Sequence, residues 1–489
     1  MTYTDQAVVN QLVRHRRTLD KLLKNPDFVI GEIGEGRYKG KLVWYRKEIQ
    51  KLEKEQTKDL IFGTEGAYWT YSGLAAFVSQ LTNSKVSISY DLPEPQLLPW
   101  AKVPKHPNRY YQDEAVEALL AKADLGPQAI SLPTGTGKTR VLLTLIKRLG
   151  LKTLIMCPSV SIAKQMYKEF LEALGKGKVG FYGAGVKKPK PLVVIGIDDS
   201  LVNIEEGSEN WHILQDTKVF LIDESHLVAA DTGVKIATGL MAKALYRFAV
   251  TATWMRNDGR DLLLEGMTGS PVYEKGINEA VNEGFLAKPK IHMIKLPAAE
   301  VPWHPDPNAN TRNHLYYNPV VIEDAARRAN QAADQQKPVL ILIDEIEQFV
   351  RLLPFFKHPV QFACGNLSKE NRGIVPPEYQ LFETDVLVKA FNEGKYPILV
   401  GTSAVAMGTD FQVPEVGIYL VGGKSQIELW QRFGRMTRGG ANSTVFNPWT
   451  GVQKVGFDWY DYCVEQDTTE RHAKERVRTY EKFFPVEWI

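Results

Sequence analysis

The sequence predicts an α/β protein with two tandem parallel-sheet domains and a small N-terminal accessory domain. Short β-rich runs alternate with helical patterns from about residue 108 to 285, and a second series of the same kind runs from about 288 to 450. A proline-rich stretch precedes the first series, and the residues before it show no such alternation. Alternating strands and helices are typical of a parallel sheet that is covered by helices.

The predicted domain boundaries follow from this alternation. We expect residues 1–100 to form the accessory domain, residues 101–287 the first parallel-sheet domain, and residues 288–489 the second domain with a C-terminal extension. The prolines between residues 92 and 107 predict a linker. Two helical patterns rich in basic residues, 8–23 and 46–58, are typical either of solvated helices or of a DNA-contacting surface.

Composition and charge place the chain among ordinary globular proteins. It has 489 residues, of which 44% are hydrophobic and 24% charged, and its formal net charge is +3. That charge is too small to indicate a nucleic-acid partner by itself. The cysteines lie far apart and do not show the spacing of a disulfide framework or a metal site. Since the N-terminus has no signal-peptide pattern and no apolar run reaches roughly 18 residues, we expect a cytoplasmic protein.

Each predicted domain contains a series of strand candidates. In the first domain they are residues 129–132, 153–157, 192–197, 219–222 and 248–251; in the second they are residues 290–296, 338–343, 359–363, 397–401 and 417–421. The aromatic run 457–462 is more typical of a core strand or hairpin than of a stacking platform, and residues 471–478 have helical spacing. Residues 301–319 predict an irregular insertion. It is either a packed loop or a wedge of aromatic residues around Trp303, Tyr316 and Tyr317 that separates strands.

A glycine loop between the first strand and its helix predicts a phosphate-binding site. The run from Leu132 to Thr139 reads Leu-Pro-Thr-Gly-Thr-Gly-Lys-Thr, which differs from the strict phosphate-loop pattern only by Leu132 in place of the first glycine. The two glycines let the backbone approach a phosphate, and the helix N-terminus adds a partial positive charge. We expect Lys138 to reach the outer phosphates and the Thr139 hydroxyl to bind Mg²⁺.

A pair of carboxylates follows the fourth strand candidate. Asp223 and Glu224 come directly after an apolar run, as Mg²⁺-dependent hydrolysis of a nucleoside triphosphate requires. We expect Asp223 to hold the metal ion through its water shell and Glu224 to orient the attacking water.

Arginines recur at three-residue intervals in the second domain, in the run from Gln431 to Arg438. Residues three and four apart share a face of a helix, which predicts that Arg435 and Arg438 point the same way. They are interpreted either as a basic helix face or as arginine fingers that complete the nucleotide site.

In their order and spacing, these residues resemble the superfamily 2 helicases and translocases from about residue 108 to 440. The resemblance implies two RecA-like domains that use ATP and Mg²⁺. It also implies a nucleotide site and a nucleic-acid path. The implied nucleotide-binding residues are Arg109, Gln112 as the adenine reader, Pro133, Thr134, Gly135, Thr136, Gly137, Lys138, Thr139, Arg140, Gly408 and Asp410, with Gln431, Arg435 and Arg438 from motif VI.

Other motifs of the resemblance concern nucleic acid and coupling. Pro158 and Ser159 are similar to motif Ia and Thr402 to motif V, which implies contacts with the nucleic-acid backbone. Thr251 and Thr253 are similar to motif III, which implies a role in coupling hydrolysis to strand movement.

The runs 253–260 and 269–274 resemble the DNA-directed branch of repair and branch-migration helicases, of which phage recombination helicases of the UvsW type are most similar. This resemblance implies forked or junction DNA as the substrate, and the host cytoplasm as the location if a phage encodes the chain. An RNA helicase and a double-strand translocase that does not separate strands remain alternatives, because the same core serves all three. The sequence does not identify a protein partner.

Overall fold

The structure is a computed structural model that describes residues 2–3, 61–64, 67–74, 90–225, 228, 230–252, 261–365, 367–380, 383–402 and 411–489. The predicted helices 8–23 and 46–58 lie outside the described residues. The chain divides into two compact units: residues 1–131 with 138–274, and residues 132–137 with 275–489. Of the helices in these ranges, none has the length and apolar character that crossing a bilayer requires.

The first unit is built on an eight-stranded sheet whose strands pair in parallel except for β7, which runs antiparallel to β6. Its strands are β4 (Gln128–Ser131), β5 (Thr153–Cys157), β6 (Val179–Gly183), β7 (Val186–Lys187), β8 (Val193–Ile197), β9 (Val219–Asp223), β10 (Tyr246–Thr251) and β11 (Pro271–Glu274), in the order β11-β4-β10-β9-β5-β8-β6-β7. Strands β5, β8 and β9 are buried along their whole length, as central strands of a covered parallel sheet must be.

Helices connect the strands of the first unit. They are α1 (Tyr110–Ala121), α2 (Lys138–Leu149), α3 (Val160–Leu174), α4 (Asp198–Leu201), α5 (Glu209–Gln215), α6 (Asp231–Lys235) and α7 (Asp261–Thr268), with a π-helical turn at Ile236–Leu240 and a 3₁₀ turn at Ala123–Leu125. An antiparallel sheet of β1 (Thr2–Tyr3), β2 (Ile61–Thr64) and β3 (Ala67–Thr70), in the order β1-β3-β2, precedes a 3₁₀ turn at Ser72–Leu74.

The second unit is built on a seven-stranded, fully parallel sheet. Its strands are β12 (Lys288–Leu296), β13 (Val339–Ile343), β14 (Val360–Ala363), β15 (Ile398–Thr402), β16 (Val416–Leu420), β17 (Gly456–Val464) and β18 (Val486–Trp488), in the order β14-β15-β13-β16-β17-β12-β18. Two buried clusters cover its faces, and Trp459 on β17 is fully buried in one of them. The strand candidates of both domains are therefore confirmed, as is the core strand at 457–462.

The second unit has mostly short helices among its described residues. They are α8 (Ile277–Asn282), α9 (Pro307–Thr311), α10 (Pro319–Asp334), α11 (Ile346–Leu352), α12 (Lys369–Ile374), α13 (Thr384–Asn392), α14 (Gln426–Phe433) and α15 (Asp467–Tyr480), with a π-helical turn at Arg312–Tyr316 and 3₁₀ turns at Leu353–Phe355 and Pro377–Tyr379. The prediction that 301–319 is irregular throughout is wrong, because α9 and the π-helical turn occupy its second half. Asp306 caps α9 and Pro307 opens it, which are favoured residues for a helix start.

The proline-rich stretch has no regular structure, but it is not a free linker. The backbone N–H groups of Gln96 and Leu98 donate to the carbonyl oxygens of Leu149 (2.6 Å) and Lys147 (2.8 Å), at the end of α2. Ala101 N–H donates to the carbonyl of Ala173 (2.8 Å), at the end of α3. The last carbonyls of a helix have no partner inside it. Residues 96–101, hereafter the strap, supply partners at the ends of both helices.

The strap is also fixed by its side chains and by a glycine. Lys147 Nζ lies 4.6 Å and the Arg140 guanidinium 5.4 Å from the centre of the Trp100 ring. Each such cation–π contact contributes roughly 0.5–1 kcal/mol at an exposed site. Gly150, with φ of +59°, ends α2, and a Cβ there would lie 1.3 Å from the Gln96 carbonyl oxygen. The close approach of the strap therefore requires glycine at this position.

We predict that Gly150→Ala lowers the free energy of unfolding by more than the roughly 1–2 kcal/mol that a left-handed conformation costs a residue with a Cβ. The excess comes from displacing the strap. Gly207→Ala is the matched control, because Gly207 has φ of +82° but no atom within 4 Å of its added Cβ. Urea unfolding of both variants measures the difference, and equal losses would show that the strap moves aside at no cost.

Candidate active site

Three neighbouring strands of the first unit end at the same edge of its sheet. In the parallel register, Thr251 of β10 pairs with Ser131 of β4, and Val250 of β10 pairs with Asp223 of β9. The glycine loop leaves β4 at this edge, and Glu224 follows Asp223 there. Parallel pairing therefore brings Lys138 and Asp223 to one edge of the sheet, although they lie 85 positions apart in sequence (223 minus 138).

The glycine loop has the backbone that its sequence predicts. Gly135 and Gly137 have φ values of 86° and 85°, a region that favours glycine. The Thr136 side chain is buried, and its hydroxyl donates to the Pro133 carbonyl oxygen (2.6 Å), which closes the turn. Helix α2 begins immediately afterwards at Lys138, so the loop leads into the N-terminus of a twelve-residue helix.

Lys138 and Glu224 form an ion pair in the first unit. Lys138 Nζ lies 3.5 Å from Glu224 Oε1, and the two side chains are 12% and 20% exposed. The Lys138 ammonium is thus paired with the Glu224 carboxylate, which we expect to orient the attacking water. A phosphate that takes up this ammonium would release the carboxylate, so the pair has the chemistry of a site that rearranges when a nucleotide binds.

The carboxylate pair sits on an unusual piece of backbone. Glu224 has φ of 51°, in the left-handed region that residues with a Cβ rarely adopt. Its backbone N–H donates to Asp223 Oδ1 (3.1 Å), which ties the two residues together. Asp223 is 9% exposed at the end of β9. Strained backbone of this kind costs on the order of 1–3 kcal/mol and clusters at functional sites.

The donor set of this edge fits ATP with Mg²⁺. A glycine loop and a helix N-terminus suit phosphates, Lys138 supplies an ammonium, and Thr139 and Asp223 supply the oxygen ligands that Mg²⁺ prefers. The roles of individual residues stay predictions.

Arg109, Gln112 and Arg140 have local partners. Gln112 is buried in α1, and its Oε1 accepts the backbone N–H of Arg109 (3.0 Å), while Arg109 Nη1 donates to the Tyr111 hydroxyl (2.9 Å). Arg140 Nε donates to Asn108 Oδ1 (2.6 Å), and its Nη2 donates to the His106 carbonyl (3.2 Å). The Arg140 side chain therefore joins α2 to the segment before α1.

The predicted nucleic-acid residues fall in different units. In the first unit, Ser159 is the N-cap of α3, where its hydroxyl accepts the N–H of Ile162 (3.3 Å), and Pro158 precedes it. In the second unit, Thr402 ends β15 and is 7% exposed. Residues Thr253, Gly408 and Asp410 lie outside the described residues.

The helix-face prediction for the arginines is wrong. Helix α14 begins at Gln426 and ends at Phe433, so Gln431 is helical, whereas Arg435 lies in the turn that follows and Arg438 lies in irregular structure after that turn. Gly434 is the helix C-cap, with φ of −60°. The turn is held by hydrogen bonds from Arg435 N–H to the Arg432 carbonyl (3.1 Å) and from Met436 N–H to the Phe433 carbonyl (2.9 Å).

The remaining arginine of the run has an internal role that the sequence analysis did not assign. Arg432 is 6% exposed. Its Nη1 donates to the Tyr419 hydroxyl (3.0 Å), and its Nη2 lies 3.1 Å from Glu428 Oε2 and 3.7 Å from Asp344 Oδ1. It therefore joins α14 to the ends of β13 and β16. The i,i+4 spacing of Glu428 and Arg432 was the available signal.

The aromatic wedge is not supported at two of its three residues. Tyr316 is 8% exposed, and its hydroxyl donates to Asp344 Oδ2 (2.5 Å) and accepts the N–H of Gly422 (3.0 Å). The Tyr317 hydroxyl donates to Glu345, and the Arg351 guanidinium lies 4.3 Å from its ring centre. Only Trp303 of the three is largely exposed, at 66%. The packed-loop alternative therefore describes Tyr316 and Tyr317.

Comparison with known proteins finds two separate family matches along the chain. Residues 105–256 match the family described as the type III restriction enzyme res subunit, and residues 332–440 match the helicase conserved C-terminal domain. The DNA 3'-5' translocase XPB2 of Sulfurisphaera tokodaii is 25% identical over 68% of this chain and 78% of that protein. Putative helicase 22 of a Sulfolobus islandicus filamentous virus is 22% identical over 82% of this chain and 74% of that protein.

A solved structure gives the same fold. The fragment of a putative HsdR subunit of a type I restriction enzyme from Vibrio vulnificus has a TM-score of 0.54 and 18% identity, and the match covers 79% of this chain and 69% of that chain. Each unit of the present chain is a parallel-sheet α/β domain of the RecA-like type. The predicted fold class is confirmed.

We predict that Ser159→Ala and Ser208→Ala each lower the free energy of unfolding by about 0.5–2 kcal/mol, because each removes an N-cap. Ser208 is the matched control: its hydroxyl accepts the N–H of Trp211 at 3.3 Å, the distance found at Ser159. If Ser159 also contacts nucleic acid, only Ser159→Ala weakens binding of a single-stranded oligonucleotide in a fluorescence anisotropy titration. Equal affinities would make Ser159 a helix cap only.

Proposed function

This chain belongs to the superfamily 2 helicases, and from that premise we propose that its ATP-driven motor acts on DNA, and on forks and junctions in particular. The observation that carries the proposal is the Lys138–Glu224 ion pair at the edge of the first sheet, in which Lys138 directly follows the phosphate loop in sequence. A DNA substrate is supported by the name of the relative XPB2, a DNA translocase.

Hydrolysis at this edge needs few groups from the chain. Lys138 binds the outer phosphates, Thr139 and Asp223 hold Mg²⁺, and Glu224 orients the attacking water for in-line attack. Arg435 and Arg438 supply positive charge for the phosphoryl group that is transferred, a contribution worth roughly 10³–10⁵ in rate for an arginine finger. Mg²⁺ held by Thr139 and Asp223 would supply positive charge at the phosphates.

Movement along the strand follows from ligand-dependent closure of two RecA-like domains. Nucleotide favours the state in which the arginines complete the site, and hydrolysis with release favours the other state. The nucleic-acid backbone is contacted by Pro158, Ser159 and Thr402. Coupling of ATP hydrolysis to strand movement depends on Thr251 and Thr253. Backbone contacts predict little sequence preference and strong salt dependence.

The preference for branched DNA, and with it a role in recombination, repair or replication restart, rests on the resemblance of residues 253–260 and 269–274 to phage helicases of the UvsW type. Residues 253–260 lie outside the described residues. The accessory domain is the proposed reader of branch shape, because the RecA-like core is shared with motors that act on unbranched substrates. A viral relative supports a virus-encoded motor that works in the host cytoplasm.

A double-strand translocase is the second candidate. It is favoured by the word translocase in the name of XPB2 and uses the same ATP chemistry without separating strands.

The substrate is tested with a matched panel of single-stranded DNA, duplex DNA, a fork, a four-way junction and the same shapes in RNA. We expect the highest ATPase rate and strand displacement on the fork and junction, with Lys138→Ala as the inactive reference. Duplex-stimulated ATPase without displacement would identify the translocase instead. Stimulation by RNA alone would overturn the DNA assignment and leave the motor in place.

The water-orienting role is tested with Glu224→Gln. We expect kcat for ATP to fall by about 10²–10⁴-fold, the usual contribution of a general base, while nucleotide affinity stays within a few-fold. Glu209→Gln is the control, because Glu209 forms an ion pair of similar length with Lys190 (3.3 Å) but is 78% exposed on α5. Steady-state ATPase and fluorescent-nucleotide binding give the two readouts, and full turnover in Glu224→Gln would remove this assignment.

A further inference from the structure

A lysine is buried in the second unit with no role in the chemistry described above. Lys454 is 1% exposed and lies between a short antiparallel bridge, Phe446 to Gln453, and strand β17. Lysine is among the residues least often buried, because its ammonium loses its hydration there. A hydrophobic side chain of similar length would fill this space without that cost.

The ammonium of Lys454 donates to two backbone carbonyls. Nζ lies 2.8 Å from the Met436 oxygen and 3.2 Å from the Gln412 oxygen. The Lys454 backbone adds two further hydrogen bonds, accepting from Gly440 N–H (2.8 Å) and donating to the Val445 carbonyl (2.9 Å). The ring centre of Phe457 lies 5.8 Å from Nζ.

The two carbonyls belong to the two functional segments of this unit. Met436 stands between Arg435 and Arg438 in the turn after α14. Gln412 stands two positions after Asp410, at the exit of motif V, which the resemblance places at residues 401–410. Since both segments lack regular helix or strand structure at these points, their relative position depends on such side-chain bonds.

Burial of the Lys454 ammonium has an electrostatic cost for folding. Burial lowers the pKa of Lys454 to about 7, with Glu415 raising the pKa and Arg438 lowering it. Folding therefore bears the full cost of the buried charge below about pH 7. The cost falls away between about pH 7 and pH 10.5, where the unfolded chain holds a proton at this lysine that the folded chain has lost. A residue that costs stability and is bonded to two functional segments is a candidate for a functional role.

We propose that Lys454 is a positioning residue that fixes the motif VI turn against the exit of motif V, so that Arg435 and Arg438 are held for catalysis. The inference rests on the proposed ATP-driven function. Lys454 acts through the backbone at Met436 and Gln412, and it need not touch the nucleotide. Bonds from a charged donor are stronger than bonds from a neutral one, so the ammonium form holds the segments more firmly than the amine.

The test compares Lys454→Met with Lys295→Met. Lys295 is the control, because it lies in the same unit on β12 but is 55% exposed and pairs with Glu465 on the surface. We expect Lys454→Met to lower kcat of the DNA-stimulated ATPase by about 10- to 100-fold, the range that a 1 Å misplacement of a catalytic group can cause. Fluorescent-nucleotide affinity and the free energy of unfolding at pH 7 should stay the same or rise, as for the control.

A pH series separates positioning from packing. The ratio of wild-type kcat to Lys454→Met kcat should be larger at pH 6 than at pH 8.5, because the ammonium is lost as the pH rises through about 7. Glu415→Gln removes a charge that raises the pKa of Lys454, and it keeps an oxygen for Asn447 Nδ2, which lies 2.7 Å from Glu415 Oε1. In that variant the midpoint of the kcat step should move to lower pH.

Failure of the positioning role and failure of the proposed function give different outcomes. Wild-type kcat in Lys454→Met, a loss of kcat that parallels a loss of stability and nucleotide affinity, or an unmoved midpoint in Glu415→Gln would each overturn the positioning role. Absence of DNA-stimulated ATPase in the wild-type protein would instead refute the proposed function. Because Glu415→Gln leaves Lys454 in place, the proposal stays testable even if Lys454→Met does not fold.

Discussion

Parallel pairing of strands is the constraint on which the rest of the structure depends. Every parallel connection must cross the sheet and return, so the carboxyl ends of neighbouring strands meet at one edge. In the first unit this edge carries Ser131 at the end of β4, from which the chain continues into the phosphate loop, Asp223 at the end of β9 and Thr251 at the end of β10. No local signal joins these residues; the sheet register does, and the strained Glu224 backbone is tolerated because Asp223 and the strand fix it on one side.

In the second unit, a buried ion pair between Arg476 and Asp461 joins helix α15 to the sheet. Arg476 of α15 donates from Nε and Nη2 to the two carboxylate oxygens of Asp461 on β17, both at 2.8 Å, and from Nη1 to the Gly423 carbonyl (2.9 Å) just before α14. The Tyr480 hydroxyl donates to Asp461 and accepts the Trp459 indole N–H. A buried ion pair is stable only when its remaining donors and acceptors are bonded, and this one meets that condition.

Much of the fold was predictable because buried parallel strands are short apolar runs between helical patterns. The phosphate loop, the carboxylate pair and ten strands were found in this way. In the two large sheets, strands β6, β7, β11 and β18 were missed: β6 contains two glycines, β7 has only two residues, β11 begins at a proline, and β18 is a three-residue edge strand. The arginine turn was mispredicted because spacing was given more weight than Gly434. The hydrogen-bond partners of Tyr316 and Tyr317 are Asp344 and Glu345, 28 positions away, which no local pattern reveals.

The strap changes how the protein can be dissected. Its composition suggests a convenient place to separate the N-terminal segment from the motor, yet its backbone completes the ends of α2 and α3, and the Tyr246 hydroxyl donates to the Pro93 carbonyl (3.1 Å). A shortened chain that starts after residue 101 would leave carbonyl groups of two helices without partners, one of them the helix that begins at Lys138. A cut before Tyr90, whose N–H donates to the Asp124 carbonyl, keeps these bonds, so an isolated motor domain should carry the proline-rich stretch with it.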